Sequence, residues 1–336
     1  MVGTAAALIG ARPGRSAAEP PPETTRLRLL KTPSLCWAPQ YIADELLRAE
    51  GFTEITHLEN PTGGPVSEPL AEGKADMSLN FVAPNIVRVD QGDPVVFLAG
   101  IHAGCFEVFG SERIERIRDL KGTTVVVDFL GGAHHTFFSI ILAYLGLDPR
   151  RDIRWITPEP ARVGGDGAPA RGALEEALRL FSEGKADGFI GFPPQPQELR
   201  ARKIGRVLVN SATDRPWSQY FCCLLTASKE FVRAYPVATK RALRAILKAT
   251  DLCASDPERA ARTLVDKGYA PRYDLALQVM RELPYNRWRE YDVEDTLRFY
   301  ALRLHEVGMI KASPQTILAQ STDWRFVTEL KRELKG

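Results

Sequence analysis

Residues 72–81 read EGKADMSLNF and residues 183–192 read EGKADGFIGF, so six of ten positions match between segments that lie 111 residues apart. In both copies a predicted helix precedes the motif and an apolar strand follows it. Glycine permits the left-handed end of a helix, and aspartate tolerates the turn before the chain enters a sheet. Two copies at this distance are too sparse for a solenoid. The repeat therefore predicts two similar α/β lobes, and chance likeness of a common helix–turn–strand segment is the alternative.

Strands and helices alternate outward from both copies of the motif, which indicates a parallel-type α/β sheet. The predicted strands lie at residues 26–31, 53–58, 77–79, 95–101, 105–110, 123–127, 153–156, 188–191 and 206–210. Beyond Pro236 the pattern becomes helical, with start signals at Asp256, Asp292 and Ser313. The last third of the chain is therefore expected to form a helical layer.

The composition is that of an ordinary globular protein of 336 residues, with 44% hydrophobic and 26% charged residues. This length suggests two domains. The 44 Lys and Arg nearly balance the 42 Asp and Glu, giving a net charge of +2. That balance argues against a nucleic-acid partner. No apolar run reaches the ~18 residues of a membrane-spanning helix.

Five cysteines are too few and too scattered for a disulfide scaffold, and an odd number leaves at least one unpaired. They are Cys36, Cys105, Cys222, Cys223 and Cys253. There is no CxxC pair, so we expect no metal site. Cys36 and Cys105 could meet in the first lobe near a cleft, and whether any pair forms a disulfide is left open.

The N-terminal residues 1–25 are expected to lie outside the fold as a signal remnant and disordered leader. Residues 2–11 are small and apolar, residues 16–18 (SAA) suit a signal peptidase, and the proline-rich 19–23 follow. The basic start of a signal peptide is missing, so we expect the coding sequence to begin further upstream. The alternative is a disordered tail on a cytoplasmic protein.

Two longer stretches carry a family resemblance: IRDLKGTTVVVDFLGGAHHTFFSIILAYLGLDP at 117–149 and LTASKEFVRAYPVATKRALRAIL at 225–247. With the strand–loop–helix at 27–51 and the two EGKAD turns, they follow in order over residues 26–268. In this arrangement the chain resembles the substrate-binding proteins of ABC transporters in the nitrate/sulfonate/taurine group, also called NMT1/THI5-like.

The resemblance implies a two-lobed type II periplasmic-binding-protein fold, each lobe a mixed sheet flanked by helices. Lobe 1 would comprise 26–109 and 217–336 with the helical layer, and lobe 2 would be the inserted 110–216. Such a protein would be exported to the periplasm as a monomer. It would close on a small organic anion by a hinge motion, with crossovers near 108–111 and 210–219, and pass it to the permease subunits of an ABC importer. It would perform no catalysis and need no cofactor.

Ligands of open α/β sheets lie outside the carboxyl ends of the strands, which selects the loops 32–37, 80–83, 128–135 and 192–195. The crossover 217–221 should line the hinge. The loop 131–134 (GGAH) is the preferred site, because it opens a helix whose free N–H groups and dipole favour a carboxylate or sulfonate. An ordinary βα turn is the alternative.

Adjacent histidines on a helix point apart, so one of His134 and His135 should face the cleft while the other caps or meets solvent. Several aromatic residues near strand ends suggest an organic ligand with an apolar or aromatic body, although each could equally be a core residue. The candidate ligand-binding residues are Ser34, Trp37, Asn80, Phe81, Val82, His102, Phe129, Gly131, Gly132, Ala133, His134, Phe192, Trp217, Gln219 and Tyr220.

Enzymatic interpretations find little support, since neither a GxSxG elbow nor an HExxH helix occurs. One alternative is kept: thiamine-pyrimidine synthases share this fold, and a ligand sensor on the same lobes is a further variant. The synthases rely on a cysteine-rich motif and a cofactor-binding lysine. Cys222 and Cys223 resemble that motif only weakly, and the sequence around Lys31 does not resemble a cofactor-binding site.

Overall fold

The computed structural model describes residues 19–32, 34–60, 67–158 and 170–335. Its strands are β1 (Arg26–Lys31), β2 (Glu54–Glu59), β3 (Met77–Phe81), β4 (Val95–Ala103), β5 (Glu107–Gly110), β6 (Thr124–Val126), β7 (Arg154–Ile156), β8 (Gly188–Gly191), β9 (Arg206–Asn210) and β10 (Phe221–Ser228). Its α-helices are α1 (Ala38–Ile42), α2 (Asp44–Ala49), α3 (Ser67–Ala71), α4 (Val82–Asp90), α5 (Ala133–Tyr144), α6 (Ala170–Ser182), α7 (Gln195–Ala201), α8 (Lys229–Ala234), α9 (Pro236–Ser255), α10 (Pro257–Asp266), α11 (Tyr273–Glu282), α12 (Val293–Glu306), α13 (Pro314–Ser321) and α14 (Arg325–Glu333). Short 3-10 helices lie at Leu35–Trp37, Ile117–Leu120, Trp217–Gln219 and Tyr285–Arg287.

The strands form two mixed sheets of five strands each, in the orders β2-β1-β3-β10-β4 and β7-β6-β8-β5-β9. In the first sheet β1 runs parallel to β2 and β3, while β10 is antiparallel to both of its neighbours. In the second, β6 runs parallel to β7 and β8, and β5 is antiparallel to its neighbours. The two sheets thus share one pattern, which confirms the predicted mixed α/β fold.

The chain crosses between the sheets twice. The first crossing is residues 104–106, because β5 already pairs with strands of the second sheet. The predicted limit of lobe 1 at residue 109 and the predicted crossover at 108–111 are therefore too late by a few residues. The second crossing, 211–220, agrees in position with the crossover expected near 210–219. The outer limits of the lobes stay a prediction.

The repeated EGKAD turns make the same contacts in both sheets. The carboxylate of Asp76 accepts a hydrogen bond from the Arg28 N–H (2.7 Å), and the Asp76 N–H donates to the Arg28 carbonyl (2.9 Å). Asp187 does the same with the N–H and carbonyl of Thr124, at 3.2 Å and 2.6 Å. Each aspartate thus joins its turn to the neighbouring parallel strand, which explains why both copies keep this residue.

Residues 19–25 pack against α9, so the prediction of a disordered leader is wrong for them; residues 1–18 lie outside the described residues. Glu19 forms an ion pair with Arg244 (2.8 Å). The Glu23 carboxylate accepts from the N–H groups of Val237 and Ala238 at 2.9 Å and 2.8 Å. These two donors belong to the first turn of α9, where a carboxylate is favoured by the helix dipole.

Helices α8 to α14 form the predicted helical layer, and α12 packs against both α4 and α5. The predicted start signals operate as side-chain caps: Asp256 accepts from Arg259 N–H, Asp292 from Glu294 N–H, and Ser313 from the first turn of α13. Within the described ranges, no helix combines the length and apolarity that a membrane crossing needs.

Two local predictions differ from the structure. The helix of the strand–loop–helix expected at 27–51 is divided into α1 and α2 at Ala43. The loop expected at 80–83 is instead the end of β3, which leads directly into α4, whereas residues 192–194 form a loop between β8 and α7. The prediction at 80–83 missed the start of α4 because proline lies in its first turn, at Pro84, where it is compatible with helix.

Candidate functional site

A line of rings crosses from the first sheet to the second. The ring of Trp37 lies 5.7 Å from that of Phe81, at the end of β3. Phe81 lies 4.3 Å from Phe192, which follows β8, and Phe192 lies 5.1 Å from His134. We call these four residues the aromatic seam. It joins the carboxyl ends of strands in both sheets, where ligands of such sheets bind.

The two sides of the seam also touch through the backbone. The Leu35 N–H donates to the carbonyl of Pro193 (3.1 Å), and the Ser34 hydroxyl lies 3.5 Å from the same oxygen. The loop after β1 thus contacts the loop after β8. Ser34 therefore lies where the loops of the two sheets meet.

His134 lies in the first turn of α5 and is buried. Its Nδ1 lies 3.0 Å from the carboxylate of Asp128, but neither ring nitrogen makes a hydrogen bond among the described residues. The Asp128 carboxylate thus lies beside the Nδ1 edge of the ring. Only an imidazolium can donate from Nδ1 to Asp128 and from Nε2 to a bound anion at the same time, beside the unpaired N–H groups of the helix start.

Two further buried polar groups near the seam lack partners within the described ranges. They are the indole Nε1 of Trp37 and both amide atoms of Asn80. Both residues are fully buried. A buried donor or acceptor without a partner is costly and is rare in native proteins. A water or a bound molecule would satisfy each of them.

The rest of the glycine loop is held by its own contacts. The Gly131 N–H donates to Nδ1 of His135 (3.0 Å), whose ring packs on Trp155 at 4.8 Å. Burial lowers the pKa of His135, which keeps this nitrogen an acceptor. A Cβ at Gly132 would lie 2.7 Å from the ring of Phe129. Phe129 and Gly131 thus shape the loop and contribute no ring or side chain to the seam.

Val82 and Ala133 are the first residues of α4 and α5, the two helices that begin beside the seam. Val82 is buried and Ala133 half-buried. Val82 and Ala133 contribute backbone N–H groups, because each lies in a first helical turn, where the N–H groups have no partner within the helix.

Trp217, Gln219 and Tyr220 form a separate group at the second crossing, and the structure does not bring them to the seam. Tyr220 stacks on Phe299 of α12 at 4.0 Å, and Trp217 lies 5.6 Å from the same ring. Gln219 is exposed. Only Trp217 approaches the seam, through Phe106 at 6.1 Å. The sequence placed them at the crossover and they lie there, beside α12, while their part in ligand binding stays a prediction.

His102, expected to bind the ligand, lies in a cluster of sulfur atoms, with its ring 5.2 Å from that of Tyr285. One donor atom from each of Cys36, His102, Cys105 and Cys223 lies within 4.8 Å of every other. The predicted approach of Cys36 and Cys105 is confirmed. Burial raises the pKa of the Cys36 thiol to about 11. Sequence spacing could not reveal this cluster, because its members come from separate strands and loops.

Comparisons with known proteins agree with this architecture. A model of the NMT1-like family matches residues 20–265. A 4-amino-5-hydroxymethyl-2-methylpyrimidine phosphate synthase of Saccharomyces cerevisiae, THI13, is 25% identical over 247 residues, covering 68% of this chain and 67% of the yeast protein.

Two solved structures share the fold over almost the whole chain. The periplasmic nitrate-binding protein NrtA from Synechocystis PCC 6803 superimposes with a TM-score of 0.75 at 16% identity, covering 94% of this chain and 90% of that one. The alkanesulfonate-binding protein SsuA from Xanthomonas axonopodis pv. citri, bound to MOPS, gives 0.67 at 17% identity, covering 92% and 100%. The fold is thus that of periplasmic binding proteins. Since the family model spans well over half of the sequence, the chain belongs to the NMT1-like family.

Proposed function

We propose that the protein is the solute-binding receptor of an ABC importer. It captures a small organic anion, a carboxylate or sulfonate, in the cleft between its lobes and delivers it to the permease subunits in the membrane. Its structural neighbours include a periplasmic nitrate-binding protein, an alkanesulfonate-binding protein and a periplasmic aliphatic sulphonate-binding protein. By analogy the protein works in the periplasm as a monomer, and it performs no catalysis.

The observation that carries this proposal is the set of unpaired buried polar atoms along an aromatic seam. Trp37 Nε1 on one side and His134 Nε2 on the other have no partners in the described part of the chain. The indole N–H, the N–H groups of a helix start and, in the imidazolium form, Nε2 of His134 are donors that suit an anionic group. The rings of Phe81 and Phe192 supply apolar walls for the remainder of the molecule.

Closure of the cleft would depend on contacts between the two sheets. The hydrogen bond from Leu35 N–H to Pro193 carbonyl and the Phe81–Phe192 contact both join the two sheets. Opening the cleft breaks them and exposes the seam. A ligand that bridges Trp37 and His134 would bind the closed arrangement more tightly than the open one, so it would shift the population toward closure.

A melting-temperature screen of purified protein against carboxylates, sulfonates and aromatic acids tests the proposal. A ligand at one hundred times its Kd should stabilise the fold by ~2.7 kcal/mol through mass action. The uncharged amide of the best acid should give little shift. If no small organic anion raises the melting temperature at millimolar concentration, the receptor proposal fails.

The variants His134→Ala and His305→Ala form a matched pair for this screen. His134 borders the seam, whereas His305 is an exposed residue of α12. We expect His134→Ala to lose most of the ligand-induced shift and His305→Ala to retain it. Equal shifts in both variants would show that the ligand binds elsewhere.

A second candidate function is a pyrimidine phosphate synthase, which the yeast relatives named above favour. The cysteine pair Cys222–Cys223 is buried in β10. However, Lys31, the lysine considered for a cofactor, is paired with Glu59 at 2.9 Å and lies beneath the ring of Tyr269. Formation of a pyrimidine phosphate by the purified protein would favour the synthase over the receptor.

A further inference from the structure

The sulfur cluster around His102 is assembled from separate parts of the chain. Cys36 lies in the 3-10 helix after β1, and Cys105 lies in the first crossing. His102 near the end of β4 faces Cys223 of β10 directly across the sheet. All four side chains are at most 5% exposed. We call Cys36, His102, Cys105 and Cys223 the Cys3His cluster.

The spacing of these donor atoms suits a tetrahedral metal ion. Zn²⁺ bound to thiolates at ~2.3 Å holds neighbouring sulfur atoms about 3.8 Å apart. The sulfur atoms of Cys36 and Cys223 are 4.0 Å apart, and all four donor atoms lie within 4.8 Å of one another. Small side-chain rotations would therefore bring the four donors around one ion without moving the backbone.

The environment of His102 is a second, independent indication of a metal site. Its Nδ1 lies 3.3 Å from the carbonyl oxygen of Ala103, an acceptor that suits a tautomer with the proton on Nδ1. In that tautomer Nε2 carries a lone pair, and this atom is fully buried and has no partner in the described residues. Metal-binding histidines are typically oriented in this way, with one ring nitrogen donating to a carbonyl and the other facing the metal.

We infer that the Cys3His cluster is a binding site for one thiophilic divalent cation such as Zn²⁺. The three thiols lose their protons to solvent, three sulfur–metal bonds and one bond to Nε2 form, and no electrons are transferred. The resulting centre carries one net negative charge. The Ser34 hydroxyl, 3.1 Å from the Cys36 sulfur, can donate to that thiolate.

Such an ion would brace the hinge. Cys105 belongs to the first crossing, and Cys223 is the third residue after the second. Cys36 is next to Trp37 of the aromatic seam, and the Tyr285 hydroxyl donates to the Cys36 carbonyl at 3.0 Å. The metal would therefore tie both crossings to the loop that carries Ser34 and Trp37.

A disulfide is the competing chemistry. The sulfur atoms of Cys105 and Cys222 are 2.8 Å apart. Their oxidation would join the two sulfur atoms, release two protons and pass two electrons to an oxidant such as oxidised glutathione. It would also remove Cys105 from the donor set. Cys222→Ser blocks this bond while leaving all four proposed ligands in place.

The test uses the full-length protein, reduced and freed of metal, titrated with Zn²⁺ against a chromophoric chelator. We expect one equivalent to bind to the wild type, to Cys222→Ser and to the control Cys253→Ser, since Cys253 is a buried cysteine of α9 outside the cluster. Cys36→Ser and His102→Ala should bind Zn²⁺ more than about 100-fold more weakly. Removing a metal ligand weakens binding more than removing a group that only orients a ligand. Failure of the reduced wild type and Cys222→Ser to bind Zn²⁺, or unchanged affinity in Cys36→Ser and His102→Ala, would overturn the inference.

Because a cluster variant could fail to fold, Co²⁺ binding to the wild type provides a second measurement. Intense visible absorption with sulfur-to-cobalt charge transfer is expected for a tetrahedral thiolate site, and a pale octahedral spectrum would contradict it. Neither readout depends on an organic anion. The receptor proposal and the metal inference can therefore fail separately.

Discussion

Gly104 lies where the two crossings between the sheets touch, and replacing it by alanine tests that contact. Its φ is +49°, a left-handed conformation. A Cβ there would lie 2.4 Å from the Cα of Ala212 and 2.4 Å from the carbonyl oxygen of Ser211. Both atoms belong to backbone, so no side-chain rotation can relieve the overlap.

The expected loss is the sum of two costs. A non-glycine residue in the left-handed region costs about 1–2 kcal/mol. Overpacking that forces a backbone shift costs a further ~1–3 kcal/mol. Gly104→Ala should therefore lower the free energy of unfolding by about 2–5 kcal/mol, a large part of the ~5–15 kcal/mol typical of a folded protein. Denaturation in urea, followed by circular dichroism, measures it.

Gly73→Ala is the matched control. Gly73 also has a positive φ, +67°, but no described atom lies within 4 Å of its Cβ position. It should lose only the conformational cost of about 1–2 kcal/mol. If Gly104→Ala loses no more than Gly73→Ala, the two crossings do not touch as described.

Three other perturbations test separate contacts. Burial alone would raise the pKa of Asp44, but the hydrogen bonds from His57 and Lys267 outweigh it and lower the pKa to about 2. The hydrogen bonds that Asp44 accepts from His57 and Lys267 therefore stabilise the fold above about pH 4. This stabilisation is lost as the pH falls toward 2 and the carboxylate is protonated. Asp44→Asn should cost about 1 kcal/mol at pH 7, allowing for solvent screening, with the difference shrinking in acid; a difference independent of pH would contradict this. Asp76→Ala should lower the free energy of unfolding by about 1–2 kcal/mol, because it leaves the partly buried N–H of Arg28 in β1 unpaired, and no measurable loss would argue against the shared role of the repeated aspartates. Glu23→Ala should cost about 0.5–1 kcal/mol by removing the carboxylate from the start of α9, and a melting temperature equal to that of the wild type would show that residues 19–25 contribute nothing.

The parts of the fold that depend on local sequence were predictable. The EGKAD turns, the strands that follow them and the helix caps at Asp256 and Asp292 all rest on contacts within a few residues, or on one neighbouring strand. Residues 19–25 were misjudged because their partners on α9 are more than 200 residues away. The prolines alone predict a linker. The long-range ion pairs that hold the segment on α9 cannot be predicted from the sequence.

The candidate site was predictable only in part, for a similar reason. Strand-end reasoning found His134, Phe81 and Phe192, since βα junctions of two similar sheets face each other. It could not find that Cys36 and His102 meet. That contact depends on the register in which β4 pairs with β10. Along the chain, β10 comes after all the strands of the second sheet.

The most direct test of the central claim is titration calorimetry with the organic anion that raises the melting temperature most. We expect one binding site per chain, at least ~10-fold weaker binding to His134→Ala because a buried hydrogen bond to the anion is lost, and unchanged binding to His305→Ala. Absence of binding heat for every anion, or wild-type affinity in His134→Ala, would contradict a receptor that captures its ligand at the aromatic seam.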